Sequence, residues 1–482
     1  MNLIEEDNID KLVTADAAPV TQIKNTDENV INILERLLTH VDAASPREVA
    51  GIDDERQLSE KELVVVTVEH VLAVAIKNKW PMARYQDSYY LFTGSHWKII
   101  SDDELRSFLG KAAERIKVDK FLARHYLFKE NLLNQFYASA YFTPPISDTN
   151  ETKINLSNGT YVIGKDGHYL KPYDRSDFLF YKLQFPYDAA ATAPTFQKYL
   201  DKVLPSKEKQ LVLAEFMGYV FIKNSVLKLE KALILFGTGS NGKSVFFDII
   251  LKLLGSENVS NYSLQNLTDD RSYTRSLLSG KLLNYASEIS SKLNPTIFKM
   301  LVSGEPVEAR MIYGKPFLLT DYCRFIFNTN VLPQDVEHNP AFYRRFTIIH
   351  FDQTISSTEK DVNLANFIIE NELPGVFNWV LDGLNRLLAQ KDFTKSDMIE
   401  NTVADFKKNS DPVSLFLEDG NFVPSTDKSL PLKSLYSQYR LYCTESGYTT
   451  CSAKAFSERL KIYGYNIERK SKGRIIYLEK KI

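Results

Sequence analysis

The chain has 482 residues, room for about three domains of ~150 residues each. It is 44% hydrophobic and 25% charged, with 20 Gly and 18 Pro, which excludes a fibre or a low-complexity polymer. The net charge of −2 hides an asymmetry: residues 1–60 hold 14 acidic and 5 basic side chains, whereas residues 433–482 hold 4 acidic and 11 basic. A near-neutral total therefore does not exclude a polyanionic partner at one end.

Three cysteines, Cys323, Cys443 and Cys451, with no C-x-x-C, suit a reducing compartment and argue against a disulfide framework. No four-ligand zinc spacing is visible. The acidic start lacks the basic-then-apolar order of a signal peptide. The longest apolar stretch, Leu63–Ile76, contains Glu69 and His70 and is too short to span a bilayer. A cytoplasmic location without a membrane partner is expected.

Residues 1–60 read as an acidic, partly disordered leader with one amphipathic helix near Val30–Val41. Ser88–Ile100 reads as a hairpin around Gly94-Ser95, followed by a helical segment. Ile154–Ile163 reads as a second hairpin with Asn158-Gly159 at its turn. Residues 61–190 are taken together as an α+β accessory domain. From Thr195 the spacing of Phe196, Tyr199, Leu200, Val203 and Leu204 is helical.

Short apolar runs then alternate with helical ones. KALILFG, KLLNYAS and CRFIFNTN have the character of strands buried on both faces. KSVFFDIILKLLG between them is helical and stops at Gly255. This predicts an α/β fold with a parallel sheet, within a domain spanning 191–408 with its flanking helices. Residues 409–429 are rich in turn formers and read as a linker, and 430–482 as a small C-terminal domain.

Gly237-Thr238-Gly239-Ser240-Asn241-Gly242-Lys243-Ser244, followed by Val245, fits G-x-x-x-x-G-K-[ST] between a buried strand and a helix. Glycines allow backbone N–H groups to wrap phosphates, and the helix N-terminus adds positive potential. Lys243 would reach the outer phosphates of ATP, and Ser244 would place its hydroxyl on Mg2+. Glu288, beyond the next apolar strand, could hold the Mg2+ shell or orient water. Asn330 ends another apolar strand, where an amide could bond a phosphate or water; a turn-forming role is the alternative. Arg344-Arg345 precede a further apolar run, and a guanidinium there could stabilise charge on a transferred phosphoryl group or simply face solvent.

These features occur in order within about 110 residues. With SGEPVEARMIYGKPF and FYRRFTIIHF, and with INLSNGTYVI and FPYDAAATAPTFQKYLDKVL upstream, the chain resembles the superfamily 3 helicases of viruses, phages and plasmids. The resemblance is to the helicase half of phage and poxvirus-type primase–helicases and covers roughly 85–410. It implies an AAA+ P-loop ATPase that forms a ring, usually a hexamer, around DNA. ATP would lie between subunits, with Lys243, Ser244, Glu288 and Asn330 on one side and Arg344 or Arg345 supplied by the neighbour. Asn328 is the lesser alternative to Asn330.

In such proteins a hairpin before the Asn-bearing strand enters the ring channel. Val307–Thr320 reads as that hairpin, with Lys315 at its tip and Arg310 and Tyr313 in support, tracking single-stranded DNA through its phosphates. The C-terminal order helix, helix, hairpin resembles a winged helix. Lys454, Arg459 and Lys461 would lie on its recognition helix and Arg469, Lys470, Lys472 and Arg474 on the wing, facing duplex or origin DNA. No Asp-x-Asp occurs, and the roughly 85 residues before the resemblance are few for a primase. The expectation is a DNA helicase without a primase site, served by a separate primase or polymerase chain. The alternatives are an ATP-switched initiator that marks or melts an origin, and another P-loop DNA motor for packaging or transposition.

Overall fold

The computed structural model describes residues 29–52, 56–85, 87–143, 151–165, 167–287, 289, 293–312, 314–333, 339–471 and 473–481. They form two compact units, dividing between Thr143 and Pro144.

In the first unit, helices Val30–His40, Glu60–Lys77, Asp102–Arg115 and Tyr126–Ser139 share one core with an antiparallel sheet. The sheet order is β1 (Met82–Tyr85), β2 (Ser88–Phe92), β3 (Trp97–Ile100). β2 and β3 are the hairpin expected at 88–100. Two helix starts are set by local chemistry. Ser59 and Ser101 each accept a backbone N–H three residues on, and Glu62 and Glu104 reach back to the cap N–H. The helix near residue 30 does not belong to a loose leader: Ile33 and Leu37 are fully buried in this core.

The second unit opens with an antiparallel sheet, β4 (Thr152–Leu156), β5 (Gly159–Gly164) and β6 (Gly167–Lys171). Leu156 pairs with Gly159, so the turn residues are Ser157 and Asn158, one position earlier than expected. Asn158 explains the shift: its amide donates to the Tyr187 carbonyl and accepts the Tyr187 N–H, both at 2.9 Å.

The centre is a five-stranded parallel sheet of β7 (Ala232–Phe236), β8 (Val259–Ser260), β9 (Leu283–Ala286), β12 (Arg324–Thr329) and β13 (Phe346–His350). Its order is β13-β7-β12-β9-β8. The fold is thus mixed α/β. The apolar runs are buried on both faces, which explains why they do not alternate with polar residues. A hairpin, β10 (Val307–Arg310) and β11 (Pro316–Leu319), precedes β12. A last antiparallel sheet has the order β14 (Phe422–Pro431), β16 (Gly473–Lys480), β15 (Ile467–Lys470).

Two expected boundaries are corrected. Residues 61–190 are not one domain, because Ile154, Leu156, Tyr161 and Leu183 join the core that holds Leu235 and Ile249 beside the parallel sheet. Residues 409–429 are not a linker. They form helix Pro412–Asp419 and the start of β14, and Val413, Phe416, Leu417 and Phe422 are buried with Tyr439, Phe456 and Leu460. Their turn formers act as local stops: Asp411 caps the helix and Pro412 begins it.

Helices Lys207–Tyr219 and Leu373–Gln390 cross so closely that only glycine fits. A Cβ on Gly383 would fall 2.3 Å from the Ala214 carbonyl carbon, and one on Gly218 2.6 Å from Leu384 Cα. Gly383→Ala should therefore cost about 1–3 kcal/mol, read as a lowered Tm; an unchanged Tm would show that the crossing is compliant. In the first unit, the Arg56 guanidinium and the Ser59 backbone N–H lower the Glu62 carboxyl from 4.5 to about 2. A depressed carboxyl contributes stability above its unfolded value and loses it as pH falls through the folded value. Glu62→Gln should flatten the acid limb of unfolding between pH 4.5 and about 2; identical limbs in the two proteins would refute this.

Candidate functional site

The loop 237–242 leaves the C-terminal end of β7 and feeds helix Lys243–Leu254. Its backbone is unusual: Gly239, Ser240 and Gly242 have φ of +115°, +45° and +86°. Such turns point successive N–H groups inward, and the first N–H groups of the helix have no intrahelical partner. Glycine is required twice. A Cβ on Gly237 would lie 2.1 Å from Asn241 Nδ2, and one on Gly242 2.7 Å from Val203 Cγ1.

Lys243 is buried, and its ammonium donates to Gly237 O at 2.6 Å, Asn241 Oδ1 at 3.0 Å and Asn330 Oδ1 at 3.4 Å. Burial pushes this ammonium below the usual lysine range. Asn330 follows β12, the strand hydrogen-bonded beside β7, so parallel pairing brings two sequence-distant residues to one edge. Asn328 is instead buried in the sheet, accepting the Tyr285 hydroxyl at 3.1 Å. Thr238 and Ser244 are exposed on the loop and first helical turn, and Val245 is half-buried. Glu288 lies outside the described residues, as do Tyr313 and Lys472.

Sequence reasoning missed the loop's supports. The Tyr199 hydroxyl donates to Gly242 O at 2.8 Å. Asn241 Nδ2 donates to Phe351 O at 3.4 Å, and the Ile355 N–H to Ser240 O at 2.7 Å. Lys209 Nζ ties the same segment down through His350 O at 3.0 Å and Asp352 Oδ2 at 3.1 Å. No local motif marks these residues, since they meet the loop only through the fold.

The arginine pair divides. β13 runs parallel to β7 with Phe346 opposite Ala232, so both arginines sit at the strands' N-terminal ends, opposite the loop. Five residues of strand separate them from it, about 16 Å. Arg345 is buried, donating to Ser303 Oγ at 2.9 Å and to Ala341 O, with Glu230 at 3.5 Å. Its candidacy as a group that reaches another molecule is corrected on this ground. The Arg344 side chain is 64% exposed, with one long contact to Glu230 at 3.4 Å.

Lys315 is exposed at the β10–β11 connection, and Arg310 spans that turn by donating to Gly314 O at 2.9 Å. In the C-terminal part, Lys454 and Lys461 are exposed on helix Ala453–Ile462. Arg459 faces the other way, pairing with buried Asp411 at 2.9 Å, and so is not a surface contact residue. Tyr463 donates to the same carboxylate at 2.6 Å. On the terminal hairpin Arg469 and Arg474 are directly opposed and exposed, beside exposed Lys470. Opposed like charges destabilise a strand pair unless an anion shields them.

Residues 75–205 match the family described as D5 N terminal like. Residues 408–477 match the family described as Poxvirus D5 protein-like, and residues 235–345 match a family of unknown function, DUF5906. Both terminal matches are thus to D5-type proteins. Among solved structures the chain is similar to the A form apo structure of the NrS-1 C-terminal region, at 13% identity and TM-score 0.47, covering 84% of this chain and 98% of that one. A second A form apo structure of that region gives 13% identity and TM-score 0.47, with 85% and 98% covered. No described helix is long and apolar enough to cross a membrane.

Breaking a buried ion pair leaves an uncompensated charge. Asp411→Ala should therefore destabilise the protein by about 2–4 kcal/mol, while Lys454→Ala should stay within about 0.5 kcal/mol. Urea unfolding measures both, and equal midpoints would contradict the structural role of Asp411 and Arg459.

Proposed function

We propose that this chain is the ATP-hydrolysing motor of a D5-type DNA replication protein, a superfamily 3 helicase acting as a ring, with six subunits expected. The observation that carries the reading is Lys243 beside Asn330 at the C-terminal edge of a parallel sheet. The order β13-β7-β12-β9-β8 is compatible with an AAA+ core.

The residues fit a Mg2+-bound nucleoside triphosphate. The loop backbone of 237–242 and the N-terminus of the following helix form a cradle for phosphate oxygens, and Lys243 is a buried cation whose acceptors are neutral carbonyl groups. Ser244 and Glu288 would hold Mg2+, which when bound neutralises charge on the phosphate oxygens. Asn330 orients Lys243 and stands ready to bond a phosphate oxygen or water. Val245 continues the helix behind Ser244. Arg344 is too far from its own loop but exposed, so it would serve the nucleotide of a neighbouring subunit, which makes the ring part of the active site.

Lys315 would track single-stranded DNA inside the ring. Lys454, Lys461, Arg469, Lys470 and Arg474, together with Lys472, would meet duplex or origin DNA through a C-terminal winged helix. The opposed pair Arg469 and Arg474 also supports the second reading, an ATP-switched initiator. A primase or polymerase would be a separate chain, and the reaction belongs in a cytoplasm.

Purified chain should hydrolyse ATP faster with DNA and separate a forked substrate. Lys243→Ala should abolish both activities. Arg344→Ala should lower hydrolysis by about 10²-fold or more, and mixing it with Lys243→Ala subunits should restore part of the activity through composite sites. No rescue from intact mixed assemblies would overturn the shared site. Origin binding that needs ATP but not its hydrolysis, without unwinding, would favour the initiator.

A further inference from the structure

The first unit carries a surface that the motor does not use. Helix Lys120–Arg124 and the helix beginning at Tyr126 meet at a sharp corner, with His125 extended between them. At this corner Phe121 is 84% exposed, Tyr126 67% and Leu127 49%. The His125 and Tyr126 rings lie 5.0 Å apart. Large side chains exposed to this degree on one corner are costly unless a partner covers them. The same segment buries Ala123 and Phe128 in the core, so the corner is anchored and its exposed rings stand on a rigid base.

A cleft of about 430 Å³ opens beside the corner, lined by Ser107, Gly110, Lys111, Glu114, Arg124 and Lys129. Arg124 is committed to Glu114, with bonds of 2.7 and 3.0 Å, and this holds the Glu114 carboxyl below its ordinary value. That pairing leaves the cleft an excess of cations. Lys111 and Lys129 in the cleft, and Lys120 on the adjoining helix, form no close ion pair among the described residues, Lys120 and Lys129 acting on Glu114 only through longer-range attraction, and the Asp119 carboxylate accepts from Phe121 N and Leu122 N at the helix cap. Aromatic faces beside an excess of ammonium groups are the two components of a single-strand platform: rings take bases by stacking, and cations follow the phosphates. A protein partner would match both features only by presenting carboxylates beside its apolar contact, whereas every nucleotide of a single strand carries a base and a phosphate together.

We propose that this face of the first unit is a second binding site for single-stranded DNA, with bases stacking on Phe121 and Tyr126 and phosphates meeting Lys111, Lys120 and Lys129. The choice of DNA as ligand rests on the motor reading above; the presence of a stacking and phosphate surface does not. Such a site would hold a strand independently of the nucleotide bound at Lys243.

The test is fluorescence anisotropy of a labelled oligo-dT 20-mer on the full chain without nucleotide, in a Lys315→Ala background that removes the hairpin contact. Phe121→Ala/Tyr126→Ala should weaken Kd tenfold or more. Lys111→Ala/Lys129→Ala should reduce the slope of log K against log salt by about one. Phe121→Trp/Tyr126→Trp should restore binding, and an unchanged Tm in all variants separates lost contact from lost folding. Wild-type Kd in the alanine variants would overturn the site, as would an altered oligomeric mass with unchanged Kd. ATP hydrolysis is measured on the same preparations. Normal hydrolysis with wild-type Kd in the Phe121→Ala/Tyr126→Ala variant sinks this site alone, whereas absent hydrolysis with Kd still weakened in that variant sinks the motor reading alone.

Discussion

The candidate site of the second unit is organised around one buried cation. Lys243 is withdrawn from water and its ammonium is satisfied by neutral oxygens: a backbone carbonyl, Asn241 and Asn330. Carbonyl and amide oxygens compensate part of the desolvation of a full charge, and the depressed basicity of this group registers the remainder. An arriving polyanion would supply what the neutral acceptors cannot. The surrounding structure is arranged to keep that cation in place. Tyr199 holds the loop from the helix Pro194–Val203, and Asn241 and Ser240 tie it to the segment 350–355 after β13, pinned in turn by Lys209.

Parallel strand direction explains the rest of the layout. Because β7 and β12 run together, their C-terminal ends bring the loop and Asn330 to one edge. Because β13 runs with them, the arginines before it are sent to the opposite edge. Arg345 is then drawn into the interior by Ser303 and Glu230, and Arg344 is left at the surface. The turn that carries Arg344 is also linked to the C-terminal part: the Tyr343 and Ser410 hydroxyls bond at 2.8 Å, and Ser410 adjoins Asp411, the anchor of Arg459 and Tyr463. A chain of polar contacts thus runs from the edge of the parallel sheet to the helix that carries Lys454 and Lys461.

Much of the fold was legible in sequence where the determinant is local. The strand of KALILFG, the helix that stops at Gly255 and the hairpin at 88–100 follow from composition and period. Errors arose where a distant contact decided. Asn158 is a turn former, and its bonds to Tyr187 selected which two residues make the turn. Residues 409–429 have the composition of a linker, yet four apolar side chains among turn formers suffice to insert them into a core supplied by later residues. Arg459 carries the same charge as its neighbours on the helix, and only the buried Asp411 distinguishes it.

The sequence alone determined the glycine-rich loop between strand and helix, because glycine spacing and a lysine at the start of a helix are conditions on the backbone within eight residues. It also determined the charge asymmetry, part of whose basic end lies on an exposed helix face and a strand pair with opposed arginines. Tertiary structure alone decided which of two adjacent arginines is exposed, which asparagine meets Lys243, and which residues brace the loop. Each of those choices depends on strand order and direction, a property of contacts among residues dozens to more than a hundred positions apart that no local pattern encodes.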